Sequence, residues 1–339
     1  MKPRAIDLFS GCGGLSLGLK QAGFEIIAAV ELDSVAAQTY EANHGLGVVR
    51  LKDIQRVSAN GLRSELGLRP SELELLAGCP PCQGFSTLRT RNGAQRNRDR
   101  RNDLVGEMLR FAKAFLPKAV MMENVPGLLG RKPFIDLCKG LERLGYIVTY
   151  GIQDAADHGV PQRRRRLILL AGRGFEIPFA RRSTRRATVR EAISRIAKAG
   201  RSGDPLHDWP EKRSEKIVRL IKDIPKNGGS RLDLPRRRQL ECHRKSDGFR
   251  DIYGRMAWDG VSPTITSGCF NPSKGRFLHP TENRAITMRE AALLQSFPKS
   301  YKFILSAGKE AIALMIGNAL PPELIRRQAL KIIATVKSA

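Results

Sequence analysis

From Arg4 onward, short apolar runs alternate with stretches of helical period. Arg4 to Phe9 reads as a strand, Gly14 to Ala22 as a helix, Glu25 to Glu31 as a strand and Ser34 to His44 as a helix. A third strand is expected just before Leu51-Lys52-Asp53-Ile54, and Leu73 to Ala77 and Ala119 to Glu123 are apolar almost throughout, as strands covered on both faces are. Pro133 to Leu144 has the stripe of an amphipathic helix, and Leu167 to Ala171 reads as a last strand. This rhythm predicts an α/β fold, a parallel sheet covered by helices. Residues 83–102 interrupt it with polar, Arg-rich sequence, and a loop of that length is usually functional.

From about residue 175 the rhythm is lost and basic pairs cluster, as in Arg181-Arg182, Arg185-Arg186 and Arg236-Arg237-Arg238. A second, smaller and less regular domain is expected over 175–308. Helical periodicity returns at Glu310 to Ile316 and Glu323 to Thr335, so residues 1–174 and 309–339 are expected to form the first domain together.

With 339 residues, 41% of them hydrophobic, the chain can bury a substantial core. Its 59 Lys plus Arg against 33 Asp plus Glu leave a net charge of +26, which points to a polyanionic partner and otherwise to a solvated basic surface. No long apolar run, signal peptide or lipidation motif is seen, so an intracellular protein is expected. The 6 cysteines are irregularly spaced, unlike a disulfide framework. Cys79-Pro80-Pro81-Cys82 has redox or half-zinc spacing, but no second Cys/His pair follows and no metal is expected.

Four segments carry candidate chemistry. Asp7-Leu8-Phe9-Ser10-Gly11-Cys12-Gly13-Gly14 joins the first strand to the first helix, where glycines let a ligand approach a helix N-terminus. A tight structural turn is the plain alternative. Glu31 ends the second strand, where a carboxylate can bind a ribose hydroxyl pair, and Asp53 follows the third. The G-x-G-x-x-G spacing is absent, which favours an adenosyl ligand over NAD. Pro80-Pro81-Cys82 would present a thiol rigidly at the carboxyl edge of the sheet, or be an inert turn. Met121-Met122-Glu123-Asn124-Val125 closes an apolar strand with a carboxylate at the same edge. Finally, Gln162-Arg163-Arg164-Arg165-Arg166 precedes a strand; if that strand starts at Arg164, alternation sends Arg164 and Arg166 to one face.

In order and approximate spacing, these segments together with Gly317-Asn318 and Arg289 to Pro298 resemble the DNA cytosine-5 methyltransferases. The resemblance covers residues 4–171 and 255–335; at Cys79 a second glycine is usual. It implies a Rossmann-like S-adenosylmethionine-dependent methyltransferase domain with a smaller DNA-recognition domain. It implies Cys82 as covalent nucleophile, Glu123 as the group at cytosine N3 and the exocyclic amine, and Arg166 and Arg164 as the groups that orient Glu123 and the base. For S-adenosylmethionine it implies Phe9, Gly11, Gly13, Gly14, Glu31, Asp53, Pro80, Leu104 and Asn318. For DNA it implies Gln83, Ser86, Arg89, Gln162, Thr264 and Thr266, with base readers somewhere in 175–255. Double-stranded DNA is the expected partner, bound by a monomer in the cytoplasm at the nucleoid, with a restriction endonuclease acting on the same site. A tRNA methyltransferase of the same family, an inactive DNA-binding regulator and a C-x-x-C redox protein are the alternatives.

Overall fold

The computed structural model describes residues 2–81, 104–244 and 250–338. It divides into two compact units. The first comprises residues 1–158, 165–182 and 320–339, and the second 159–164 and 183–319.

The first unit is built on a seven-stranded sheet in the order β3-β2-β1-β4-β5-β7-β6. Its strands are β1 (Arg4–Leu8), β2 (Glu25–Glu31), β3 (Val49–Leu51), β4 (Leu75–Gly78), β5 (Ala119–Asn124), β6 (Tyr146–Asp154) and β7 (Arg165–Arg173). The first five pair in parallel, while β7 runs antiparallel between β5 and β6. Helices α1 (Gly14–Ala22), α2 (Ser34–His44), α3 (Ala59–Glu65), α4 (Val105–Phe115) and α5 (Lys132–Arg143) alternate with the strands. The α/β fold expected from the sequence is the fold observed.

Both sheet faces are buried, for the reason the strands are apolar throughout. Leu8, Leu76, Met122, Leu167 and Leu169 meet Phe111 and Phe115 of α4 and Leu137 and Leu141 of α5 on one face. Ala5, Leu75, Ala77, Met121, Ile168 and Leu170 meet Leu15 and Leu19 of α1 on the other, with Ile325, Ala329 and Ile332 of the last helix (Pro322–Ser338). Strand order reverses between β1 and β4, which is where doubly wound sheets open a crevice at their carboxyl ends. Because β7 is antiparallel, its amino-terminal end lies at that same edge, with Leu167 opposite Asn124.

The second unit carries short helices, including α6 (Glu215–Asp223), α7 (Met288–Leu294) and α8 (Gly308–Asn318), and no sheet among the described residues. A small core of Leu220, Ile221, Ile224, Leu234, Tyr253 and Leu278 supports it. At its centre the Arg255 side chain is completely buried, donating to the carbonyls of Ile221, Ile224, His279 and Glu282 and to Asn283 Oδ1. Among the described residues no helix is long and apolar enough to cross a membrane.

Candidate active site

After β1 the chain turns sharply, with Phe9 at φ 63° and Gly11 and Gly13 at 55° and 92°. Left-handed backbone is cheap for glycine and strained for phenylalanine, so the surrounding fold must hold Phe9 there. Gly13 is the N-cap of α1 and offers no side chain to it, while the Asp7 carboxyl below takes the backbone N–H of Ser16 in the first turn. A Cβ on Gly11 would meet nothing within 4 Å, so open space borders this loop. At the end of β2 the Glu31 carboxylate accepts the N–H of Gly11 at 2.7 Å and those of Leu32 and Asp33 at 2.9 and 2.8 Å. It is thereby fixed against the glycine loop. Asp53 opens the turn after β3 and accepts the Gln55 N–H at 3.0 Å. Pro80 is buried, and Leu104, at the start of α4, packs half-buried on the core.

Below the loop lies a buried group that the sequence reading passed over. Asp7 is fully buried on β1; Ser16 Oγ donates to its Oδ2 at 2.6 Å and lies 2.9 Å from the Tyr40 hydroxyl, while Oδ1 has no partner. Burial pushes this carboxyl up to about 7, with the Glu31 charge adding to the rise and the Ser16 hydrogen bond opposing it.

Glu123 sits near the end of β5, buried, and its Oε1 receives Arg166 Nε at 2.7 Å. The register explains the meeting: Glu123 stands opposite Ile168 on antiparallel β7, so Arg166, two residues earlier, reaches back over the carboxyl end of β5. The next residue, Asn124, donates through Nδ2 to the Pro80 carbonyl at 2.9 Å and accepts the Val125 N–H at 2.8 Å. That buried bond fixes the backbone two residues before Cys82. It is a contact the sequence reading did not foresee, although an amide directly after a strand-terminal carboxylate was its available sign.

Arg164 behaves differently from the expected companion of Arg166. The strand starts at Arg165, and Arg164 belongs to the second unit, where its guanidinium donates to the carbonyls of Ile265 at 3.0 Å and Gly317 at 2.9 Å. Gly317 has no alternative residue, since a Cβ there would stand 2.4 Å from the Ser267 nitrogen. Gln162 is also fully buried. Its Nε2 donates to Gln295 Oε1 at 2.7 Å, its Oε1 accepts the Ile265 N–H at 2.8 Å, and Gln295 in turn donates to the Ile316 carbonyl at 2.6 Å. The amide of Gln162, expected at the DNA, makes these bonds within the second unit. Thr264 donates to the Arg163 carbonyl at 2.7 Å, Thr266 is half-buried, and Asn318 is exposed at the end of α8. Cys82, Gln83, Ser86, Arg89 and the Arg-rich stretch 83–102 lie outside the described residues. Among the described residues no cluster of three or more His, Cys, Asp or Glu could hold a metal ion.

Known proteins match nearly the whole length of the chain. The family model for the C-5 cytosine-specific DNA methylase matches residues 3–334. The chain is 36% identical to the Type II methylase M.HgiDII of Herpetosiphon aurantiacus, covering 95% of this chain and 92% of that protein. It is 35% identical to the Type II methyltransferase M1.HphI of Haemophilus parahaemolyticus, covering 94% and 83%. Among solved structures, the S. pombe Dnmt2 methyltransferase superposes with a TM-score of 0.64 at 20% identity, over 100% of this chain and 99% of that one, a likeness of fold.

Proposed function

The chain belongs to the C-5 cytosine-specific DNA methylase family and is a DNA (cytosine-5)-methyltransferase, and on that premise we propose that it methylates a flipped cytosine through a covalent bond to Cys82. The observation that carries the reading is the buried Glu123–Arg166 pair at the carboxyl edge, next to a Pro80 carbonyl tethered by Asn124.

Cytosine C5 is a weak nucleophile. The Cys82 thiolate adds to C6, and the ring electrons shift toward C5 and N3. Glu123 meets N3 and the exocyclic amine and supplies the proton or hydrogen bond that stabilises the electron-rich ring. Arg166 keeps the Glu123 carboxylate in one orientation, so little reorganisation remains to be made during reaction. Once C5 carries the methyl group, transfer of its proton to water and return of the N3 proton to Glu123 let the C5–C6 double bond re-form, which expels Cys82 as thiolate and restores the aromatic ring. A base inside duplex DNA is out of reach of these groups, so the nucleotide must leave the stack.

S-adenosylmethionine is the proposed methyl donor, and the residues fit it. Its ribose hydroxyls suit Glu31 and its adenine amine suits Asp53, with its amino-acid end along a glycine loop that borders open space. Phe9, Gly14, Pro80, Leu104 and Asn318 complete the proposed cofactor set. When bound, its sulfonium supplies the methyl group that the activated C5 takes. Arg164 serves in this reading as a brace of the second unit. The segments 1–174 with 309–339 and 175–308 are proposed as catalytic and target-recognition domains, and Ser86, Gln83, Arg89, Thr264 and Thr266 as DNA contacts.

The names of the relatives support a place in a Type II restriction-modification system, with a cognate endonuclease cutting the same sequence. The protein is proposed to act as a monomer on double-stranded DNA in the cytoplasm. Sequencing of methylated bases in a host expressing the chain tests the assignment. We expect 5-methylcytosine at one short DNA sequence; unmodified DNA with methylated tRNA would overturn it.

A further inference from the structure

Beside the Glu123–Arg166 pair stands a thiol that the proposed chemistry leaves unused. Cys79 directly follows β4, and its N–H donates to the Leu8 carbonyl at 3.2 Å, extending the ladder by one step. Gly78 pairs with Met122, so the next step of the same parallel register sets Cys79 beside Glu123. Cys79 packs on the face that carries Leu75, Ala77 and Met121, and strand alternation brings Glu123 to that face too. There the thiol hydrogen-bonds the Glu123 carboxylate. Burial, together with the nearby charges of Glu123 and Asp7, holds this thiol far above the ordinary cysteine range, despite Arg166. Cys79 is therefore a neutral donor, unlike a nucleophile, which needs the thiolate.

We propose that Cys79 is a positioning residue for Glu123, its S–H and the Arg166 guanidinium together fixing the orientation of the carboxylate and setting how readily it takes up the proton it gives to N3. The proposal rests on the reading of Glu123 as the group that meets cytosine N3. A donor aimed at a carboxylate stabilises the anion and lowers its pKa. Removing the thiol should make Glu123 easier to protonate and freer to turn. A glycine, the residue usual at this position in the sequences that this chain resembles, has no such donor.

Single-turnover methylation against pH, with the full chain and a duplex carrying its recognition sequence, provides the test. The limb of the profile that disappears in Glu123→Gln reports Glu123. In Cys79→Ala that limb should move to higher pH by roughly half a unit to one unit, with DNA affinity changed by less than about twofold, a shift well under 1 kcal/mol. Cys79→Ser keeps a donor and should return the limb toward its original position. A limb unmoved in Cys79→Ala, or one equally displaced in Cys79→Ser, overturns the positioning role. Should Cys79→Ala fail to fold, Cys79→Gly removes the same donor and carries the same prediction. Cys82→Ala keeps the two readings apart. If it still turns over, the covalent assignment itself fails; if it is dead while the Cys79→Ala limb stays put, only the present proposal fails.

Discussion

The two units satisfy their buried backbone by different means. In the first, the sheet ladder pairs carbonyls with N–H groups strand by strand, and polar side chains at its carboxyl edge are released for chemistry. In the second, which has no sheet among its described residues, buried side chains do the pairing. Arg255 reaches four carbonyls, Arg164 two, and Gln162 and Gln295 link the segments around Ile265 and Ile316. Arg164, Arg231, Arg255 and Arg289 are all buried. Part of the arginine excess is thus interior scaffolding, and the charge that points to DNA must be discounted by it.

Arg255→Leu should break that contrast hardest. It keeps the volume apolar but strands four buried carbonyls at about 1–3 kcal/mol each, so a total loss of at least about 4 kcal/mol is expected. Thermal unfolding followed by calorimetry checks this, and a melting temperature within about 2 °C of wild type, where each kcal/mol moves it about 2–4 °C, would refute the scaffold role. Arg166→Lys sharpens the other side. Lysine keeps the charge but loses the planar fork that fixes Glu123, so methyl transfer at saturating DNA should slow by about 10²-fold, the low end for losing a preorganised donor. Its melting should stay near wild type. A melting loss as large as that of Arg255→Leu, with turnover per folded molecule intact, would make Arg166 one more brace.

The same contrast decides what was legible in the sequence. Where the sheet imposes a period, the reading was close: α1, β2 and α2 have the expected limits, and Glu123 stands at the crevice edge as its strand-terminal position suggested. The nine-residue strand β6 was missed because it is an edge strand, with Ile147 and Tyr150 about half exposed and Gly151 within it, so its apolar pattern is diluted. The strand expected from Arg164 begins at Arg165, and the two arginines meet different partners, the carbonyls of Ile265 and Gly317 for Arg164 and the Glu123 carboxylate for Arg166. Arg255 gave no sign at all. A buried arginine and a surface arginine look alike until the carbonyls around them are known. Gln295 was similarly hidden, since an amide's partners are set by tertiary approach and not by spacing, and Asn124 showed only its place after the strand-terminal Glu123.

The most direct test of the covalent account uses duplex DNA carrying 5-fluorocytosine at the target position, incubated with the full chain and S-adenosylmethionine and run on a denaturing gel. Addition of Cys82 at C6 and methylation at C5 should proceed, but release requires loss of the C5 substituent as a cation, which a proton can leave as and fluorine cannot. A protein–DNA species that survives denaturation is predicted with wild type and Cys79→Ala, only in the presence of S-adenosylmethionine, and never with Cys82→Ala. Normal DNA methylated by a wild-type protein that forms no such species, or a species that persists in Cys82→Ala and vanishes in Cys79→Ala, would contradict it.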